Sequence, residues 1–239
     1  MHTDGSSPNP MFDPIRADRT FEVVTARIRE KILRGELRPG DKLPPERELA
    51  QQLDVSRNVV REAFRTLENA GLIRTRKGAH GGAFIEEGSA SHVARALGDL
   101  VTLNAISLRD LLEARALILE MVIDRIAASG APLNLTALEA NVTGIEEIVR
   151  RGDSRARVAS ARDFYHEIGV LTGNSALVFT VDAQTELIQD FLRYRVTDMD
   201  GGKLIASRRT FLEHLRAGDW AAAKAELRAH LERVHSTLW

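Results

Sequence analysis

Residues 43–73 read LPPERELAQQLDVSRNVVREAFRTLENAGLI, and their apolar spacing predicts two helices joined by a short turn. The first helix begins near Glu46, after two prolines that require an extended or turning backbone. The second extends from Arg57 to Ala70, and its apolar side chains recur every three or four residues along one face. Ser56 is a typical N-cap residue for this helix, and the glycine after Ala70 is a typical stop. The segment therefore predicts a helix-turn-helix.

The flanking residues extend this unit on both sides. Upstream, apolar residues at helical spacing predict another helix from about Thr20 to Arg34. Downstream, residues 72–76 alternate like a strand, residues 77–82 form a glycine-rich turn, and residues 83–85 return as a second strand. Three helices followed by a two-stranded hairpin predict a winged helix-turn-helix, which we assign to residues 19–86.

The rest of the chain predicts helices alone. After Ser91 no strand-like alternation persists, and amphipathic segments alternate with glycine-containing turns. These segments lie near residues 91–103, 107–129, 134–151, 155–172, 175–198, 203–217 and 219–237. The predicted fold class is therefore mainly α, with the winged helix-turn-helix followed by an all-α helical bundle over residues 91–239.

Composition excludes several classes of protein. The 239 residues include no cysteine, which excludes disulfides, zinc-thiolate sites and thiol catalysis and favours a cytoplasmic location. No apolar run reaches the roughly 18–20 residues that span a membrane. Residues 1–14 lack the basic and apolar segments of a signal peptide, and we expect residues 1–18 to be a disordered tail.

The distribution of charge favours a nucleic-acid partner for the N-terminal unit. The net charge of the whole chain is −1. Residues 20–85, however, hold 13 Lys and Arg against 9 Asp and Glu, whereas residues 86–239 hold 18 against 22. A basic unit joined to an acidic remainder indicates that only the first part meets phosphates.

The second helix of the motif carries candidate DNA contacts. Ser56, Arg57, Asn58 and Arg61 occupy the polar face of its N-terminal half. Short hydrogen-bonding side chains and arginines suit base edges and phosphates in a major groove. The turn between the strands is small and basic, and glycine there permits close approach to a phosphate. The alternative interpretation is an amphipathic helix whose polar face is simply solvated.

The same residues carry a resemblance to a known family. The motifs are Leu43-Pro44-Pro45-Glu46-Arg47-Glu48-Leu49-Ala50, Val55-Ser56-Arg57, Val60-Arg61-Glu62-Ala63, Leu67-Glu68 and Gly71-Leu72-Ile73. Over about residues 20–85 the chain resembles the GntR family of bacterial regulators. The resemblance implies main DNA contacts at Arg47, Arg57 and Arg61. It places Ser56 and Asn58 beside them, and it assigns the wing contact to Lys77 and Gly78.

The helical remainder resembles the effector domain of the FadR subfamily, the FCD type, over about residues 91–239. The residues that carry this resemblance are Asp110-Leu111-Leu112-Glu113-Ala114-Arg115, Glu120, Phe164-Tyr165-His166, Gly173-Asn174, Arg216-Ala217-Gly218-Asp219 and Arg228-Ala229-His230-Leu231. The resemblance implies a domain that binds an effector and dimerises. It also implies that the homodimer binds a short inverted-repeat operator in double-stranded DNA.

Many members of this subfamily hold a divalent metal through an Asp four residues before a His and two further His. His166 matches the first His and His230 the last. Arg162 stands at the Asp position, and Arg208 stands at the position of the middle His. A guanidinium donates hydrogen bonds but cannot ligate a cation, so we expect no metal or other cofactor. A divalent metal at His166 and His230 is the alternative. Asp163 and His214 could replace the two missing ligands, but both lie off the helix faces that carry the ligand positions.

Two interpretations of these arginines stay open. In the first, an anion site clamps a carboxylate or phosphate. Its residues are Arg115, Arg162, His166, Arg208 and His230. In the second, the arginines pair with internal carboxylates and fill the former metal cavity. The candidate carboxylates are Asp163, Glu113 and Glu120.

The expected function is a sequence-specific, DNA-binding transcriptional repressor whose operator affinity is controlled by a small acidic metabolite. A metal-dependent enzyme in the bundle is one alternative, but the sequence contains no phosphate loop, no His-Glu-x-x-His motif and no recognisable Ser/His/Asp arrangement. A metal-binding regulator is a second alternative. An architectural DNA-binding protein without an effector is a third.

Overall fold

A computed structural model describes residues 20–78, 80–192 and 200–235, without the side chains of Ser154 and Leu192. The predicted disordered tail, residues 1–18, lies outside the described residues, as do Ala79 and the end of the helix predicted over residues 175–198. The chain divides into two compact units, residues 1–88 and residues 89–239.

The first unit is the predicted winged helix-turn-helix. Its elements are α1 (Thr20–Leu33), α2 (Glu46–Leu53), α3 (Arg57–Asn69), β1 (Ile73–Arg76) and β2 (Gly82–Ile85). The two strands pair antiparallel, with Ile73 opposite Ile85 and Arg76 opposite Gly82. One apolar core joins these elements, and it comprises Val24, Ile28, Leu43, Leu49, Ala50, Val60, Ala63, Phe64, Leu67, Ile73, Ala83 and Ile85.

A short pairing beside β2 was absent from the sequence prediction. Lys42 forms an isolated antiparallel bridge with Phe84, and the Leu43 amide donates to the Ala83 carbonyl at 2.8 Å. Leu43 is thereby buried in the core. The prolines that follow Leu43 mark this segment as a turn, so its pairing depends on a tertiary contact that local sequence patterns do not contain.

The described part of the second unit is entirely helical. It comprises α4 (Ala90–Thr102), α5 (Leu108–Ser129), α6 (Thr136–Arg151), α7 (Ser154–Val170), α8 (Ser175–Leu192), α9 (Gly201–Ala217) and α10 (Trp220–His235). Its main core is formed by side chains that include Ile123, Ile168, Phe164, Phe211 and Leu227. A smaller cluster contains Ala94, Leu111, Leu112, Leu187 and Ile188. The all-α prediction is therefore confirmed for this unit.

Local sequence explains where several of these helices begin. Ser107 caps α5 by accepting from the Asp110 amide, and Asp153 caps α7 by accepting from the Ala156 amide. Asp200 caps α9 by accepting from two amides of its first turn. Each cap satisfies backbone donors that have no partner inside the helix. The caps fix the positions of three helices that contribute to a cavity in this unit.

Candidate DNA interface and effector cavity

The α3 helix presents a row of arginines on its outer face. The Ser56 hydroxyl caps the helix by accepting from the Val59 amide at 3.3 Å. The opposite face is anchored by Val60, Ala63, Phe64 and Leu67, which are all buried. Because residues four apart share a helix face, the arginines at positions 57, 61 and 65 form one exposed row.

This row borders a groove between the helix-turn-helix and the wing. The groove encloses about 910 Å³. Its lining includes five basic side chains, from Arg47, Arg57, Arg61, Arg65 and Lys77. Four of these five are among the DNA contacts expected from the sequence. Arg65 was missed, although its position four residues after Arg61 is a signal that could have found it.

Hydrogen bonds hold parts of this surface in place without burying its charge. Arg57 Nε donates to Glu46 at 3.0 Å, and Arg61 donates to Asn58 Oδ1 at 2.8 Å. These two arginines are exposed, so the contacts orient the guanidinium groups at little energetic cost. Asn58 therefore acts on Arg61 in the absence of DNA, and its amide remains able to donate to a base or phosphate.

A hydrogen bond connects the wing, which is formed by β1 and β2, to α3. The Thr75 amide donates to Glu68 Oε1 at 2.8 Å, which fixes β1 against α3. Lys77 is exposed, and Gly78 has a φ of +110°, where a side chain is strained. A Cβ at Gly78 would meet no atom within 4 Å, so there is open space beside Lys77.

The second unit contains a small cavity among α5, α7, α8, α9 and α10. Its volume is about 50 Å³, which is room for about four water-sized groups. The lining residues are Arg115, Arg157, Val158, Ala161, Tyr165, Thr185, Ile188, Gln189, Leu204, Arg208, His230 and Val234. Three arginines and a histidine in a mainly apolar wall make this a positively charged site suited to a short acid.

Arg115 brings a largely unsatisfied guanidinium to this cavity. The residue is 3% exposed, and its Cζ lies 4.4 Å from the centroid of the Tyr165 ring. Its Nε and Nη1 atoms have no hydrogen-bond partner among the described residues. Burial lowers the pKa of Arg115 below its usual value, and Tyr165 partly opposes this effect. Two donors of Arg115 are thus buried without a hydrogen bond, which is rare in folded proteins.

Arg208 is buried more deeply, and only one end of it is held. Its Nη1 donates to Asn141 Oδ1 at 2.9 Å and to Ser160 Oγ at 3.2 Å, while its Cζ lies 4.5 Å from the Phe164 ring centroid. Its Nε and Nη2 lack a partner in the described parts of the chain. Burial lowers the pKa of Arg208 to about 10, with a further lowering from the charge of Arg157.

His230 completes the polar wall as a neutral group. It is 4% exposed, and its Nδ1 lies 3.1 Å from Ser207 Oγ. Burial lowers the pKa of His230 to about 3, and the positive charges of Arg208, Arg233 and Arg115 act in the same direction. At neutral pH the imidazole is therefore uncharged, with one nitrogen that donates and one that accepts.

The structure does not bring Arg162 and His166 to this cavity. Arg162 has a side chain that is 57% exposed and lies near Asp163, with 3.7 Å between Nε and Oδ1. The Nδ1 atom of His166 instead hydrogen-bonds Asp182 at 2.9 Å. Neither residue is among the described lining residues. The cavity-facing pair on α7 is one position earlier, at Ala161 and Tyr165.

Arg162 and His166 lie outside the cavity because of their angular position around the axis of α7. A shift of one residue rotates a side chain by roughly 100° about the helix axis. Positions 158, 161 and 165 share the inward face of α7, so Arg162 and His166 point elsewhere. The sequence interpretation also missed Tyr165 and Arg157. The adjacent aromatic residues Phe164 and Tyr165 were the available signal, since both are buried and mark the inward face.

The lining residues do not fit a divalent metal. His230 is the only His, Asp or Glu among the described residues that line the cavity. Throughout the described ranges, no group of three or more His, Cys, Asp or Glu residues is placed to hold a metal ion. Arg115 and Arg208 would also repel a cation beside His230.

Internal carboxylates do not neutralise the two buried arginines in the part of the chain that the structure describes. Glu120 pairs with Arg228, and Asp163 lies beside Arg162. Glu113 lines a separate surface groove with Arg109 and Arg228. The internal-pairing interpretation therefore finds no support at Arg115 and Arg208, and the contact of Arg162 with Asp163 is exposed and lies outside the cavity.

Comparisons with known proteins agree with both halves of this architecture. The family described as "Bacterial regulatory proteins, gntR family" matches residues 20–85, and the "FCD domain" matches residues 110–233. The chain belongs to the GntR family of transcriptional regulators. As a regulator with an FCD domain, it has the organisation of the FadR-like subfamily that its sequence motifs indicated.

Similar proteins include regulators from several bacteria. The chain is 47% identical to the Uxu operon transcriptional regulator of Escherichia coli over a segment of 75 residues. This segment is 31% of this chain and 28% of that protein. It is 28% identical to the putative L-lactate dehydrogenase operon regulatory protein of E. coli, over 92% of this chain and 86% of that one. It is 27% identical to the HTH-type transcriptional regulator LutR of Bacillus subtilis, over 87% of this chain and 95% of that protein.

A solved structure supports the same assignment. The Streptococcus agalactiae GntR structure aligns with a TM-score of 0.65 at 25% identity, over 90% of this chain and 99% of that one. The three relatives are described as transcriptional regulators or as an operon regulatory protein. In addition, none of the helices within the described residues is long and apolar enough to cross a membrane.

Proposed function

We propose that this regulator is a homodimeric repressor that binds an inverted-repeat operator and releases it when a small acidic metabolite occupies the cavity. Arg47, Ser56, Arg57, Asn58 and Arg61 would contact the major groove, and Lys77 and Gly78 would contact the adjoining backbone. Arg65 belongs to the same surface. The support is the row of exposed arginines beside a basic wing. DNA as the partner also implies a cytoplasmic location.

The observation that carries the effector assignment is the pair of buried guanidinium groups without a carboxylate partner. Arg115 and Arg208 both line the cavity, and each has two buried nitrogen atoms without a hydrogen-bond partner among the described residues. Buried charge of one sign is costly, and a bound carboxylate would offset that cost. The revised effector site therefore comprises Arg115, Arg208 and His230, together with Tyr165 and Arg157.

A homodimer is supported by exposed apolar side chains on one helix. Leu117 and Met121, one turn apart on α5, are 56% and 48% exposed. A second subunit that covers this face would remove apolar surface from water. Ligand binding would then alter how the two DNA-binding units are presented to the two half-sites.

We assign no catalytic activity and no cofactor. The described part of the cavity holds a single uncharged histidine and no carboxylate, which does not make an acid–base pair or a metal site. The matched relatives are regulators, which agrees with this assignment.

Thermal unfolding with a panel of short acids tests the effector assignment. The panel comprises short mono- and dicarboxylates, hydroxy acids and phosphates, and one class should raise the melting temperature in proportion to the logarithm of its concentration. Arg208→Met should abolish this rise. Arg162→Met is the matched control, since it removes an exposed arginine outside the cavity and should keep the rise. A rise that disappears with Arg162→Met and persists with Arg208→Met would contradict the assignment.

A further inference from the structure

The groups behind His230 determine which of its ring nitrogens carries the proton. Ser207 Oγ lies 2.5 Å from Glu226 Oε1 and 3.1 Å from His230 Nδ1. Arg233 donates to Ser207 Oγ at 2.6 Å and to Glu226 Oε1 at 2.7 Å. We call this hydrogen-bonded group of three side chains the serine relay; it consists of Ser207, Glu226 and Arg233.

The protons available in the serine relay allow only one arrangement of its hydrogen bonds. Glu226 forms an ion pair with Arg233, and a carboxylate in such a pair accepts hydrogen bonds without donating one. The hydrogen bond between Ser207 and Glu226 must therefore use the single hydroxyl proton of Ser207. The contact between Ser207 Oγ and His230 Nδ1 then requires a proton on Nδ1, which donates to the serine oxygen.

The other ring nitrogen is consequently an acceptor at the cavity. His230 lines the cavity, whereas Ser207 is not among the described lining residues. Since the two nitrogens of an imidazole point to nearly opposite sides of the ring, Nε2 faces the cavity when Nδ1 faces Ser207. A neutral Nε2 without a proton accepts a hydrogen bond and donates none. The wall thus combines guanidinium donors with a single strong acceptor.

We propose that the acid bound in this cavity carries a hydroxyl group that donates to His230 Nε2, and that Ser207 sets this preference by holding the imidazole proton on Nδ1. The proposal rests on the proposed function, since the carboxylate of the acid is held by Arg115 and Arg208. The chemical class is a short hydroxycarboxylate. The oxo acid of the same skeleton has only acceptor oxygens, and its carbonyl would face the lone pair of Nε2.

The cavity volume agrees with a compact ligand of this class. Space for about four water-sized groups accommodates a carboxylate, a hydroxyl and a short carbon chain. The apolar side chains of Ile188, Leu204 and Val234 provide the surface for that chain. In this one small cavity the ligand hydroxyl donates to His230, and the ligand carboxylate accepts from Arg115 and Arg208.

Three acids with the same carbon skeleton test the proposal. Lactate carries the hydroxyl, pyruvate an oxo group and propionate neither, and isothermal titration measures the dissociation constant of each. Lactate, tested as both enantiomers, should bind at least about tenfold more tightly than pyruvate or propionate, as expected for a buried hydrogen bond. Equal affinities for the three acids would overturn the inference while leaving the proposed function standing. If no acid on the wider panel binds, both fall together.

Variants of Ser207 distinguish a role in holding the His230 proton on Nδ1 from a role in packing alone. Ser207→Ala should lower the ratio of lactate to pyruvate affinity towards one, and Ser207→Thr, which keeps the hydroxyl, should restore it. In the wild-type protein, the ¹⁵N chemical shifts of His230 should report a protonated Nδ1 and an unprotonated Nε2. A full preference for lactate retained in Ser207→Ala, or a proton found on Nε2, would overturn the assigned role of Ser207.

Discussion

The neutral, buried state of His230 makes the effector domain sensitive to acid, and His230→Gln should remove part of that sensitivity. Burial and three surrounding arginines lower the pKa of His230 to about 3 from the ordinary value of 6.5. The unfolded chain therefore takes up a proton at a pH where the folded chain does not. Stability is full above the unfolded pKa and falls as the pH decreases from 6.5 towards 3.

The size of this effect follows from the two pKa values. Each pH unit between them costs about 1.4 kcal/mol of unfolding free energy. At about pH 4.5, two units below 6.5, the loss attributable to His230 is about 2–3 kcal/mol. His235, whose pKa burial lowers to about 4, adds a similar loss that persists in the variant. The acid-induced loss of stability should thus be about 2–3 kcal/mol larger for the wild-type protein than for His230→Gln over this range.

Urea unfolding followed by tryptophan fluorescence measures the difference, because Trp220 lies in α10 of the second unit and residues 1–88 contain no tryptophan. The readout is the slope of unfolding free energy against pH, which is independent of any constant offset caused by the substitution. Thr185→Val is the control, since it alters a buried lining residue of similar shape without a titratable group. Curves for His230→Gln and the wild type that run parallel from pH 7 to about 4.5 would refute the reasoning.

Three further predictions concern DNA binding and assembly. Arg57→Ala and Arg61→Ala should each weaken operator binding by about 1–3 kcal/mol and reduce discrimination between operator and random DNA, as measured by fluorescence anisotropy. Lys77→Ala should weaken binding to every sequence alike and lower the salt dependence by roughly one counterion, and an unchanged salt slope would contradict a phosphate contact. Light scattering should give a dimer near twice 26.5 kDa, and a monomer that still binds operator tightly would contradict the dimeric proposal.

Much of the fold was predictable because local signals agree with the tertiary structure. Ser56 caps α3, the apolar spacing of α3 corresponds to its buried face, and glycines flank the wing where the chain must turn. The pairing of Lys42 with Phe84 was not predictable, because it joins segments that are far apart in sequence and carry no local strand pattern.

Three of the five residues predicted for the effector site lie together in the structure. Arg115, Arg208 and His230 line one cavity, whereas Arg162 and His166 do not, and the anion site itself stays a prediction. On α7 the family motif was aligned one residue late, and Arg162 and His166 were named in place of Ala161 and Tyr165. A sequence motif gives the spacing of four residues, but the direction in which the helix faces depends on its packing, mainly against α6 and α8.

The central claim is that occupancy of the cavity controls DNA binding, and operator affinity with and without ligand tests it most directly. An operator duplex is first selected from random sequences by the protein itself, and its dissociation constant is then measured by fluorescence anisotropy. A saturating acid, chosen as the strongest stabiliser in thermal unfolding, should raise this constant for the wild type at least about tenfold. It should leave Arg208→Met unchanged. An operator affinity of the wild-type protein that stays the same at saturating acid would contradict the account.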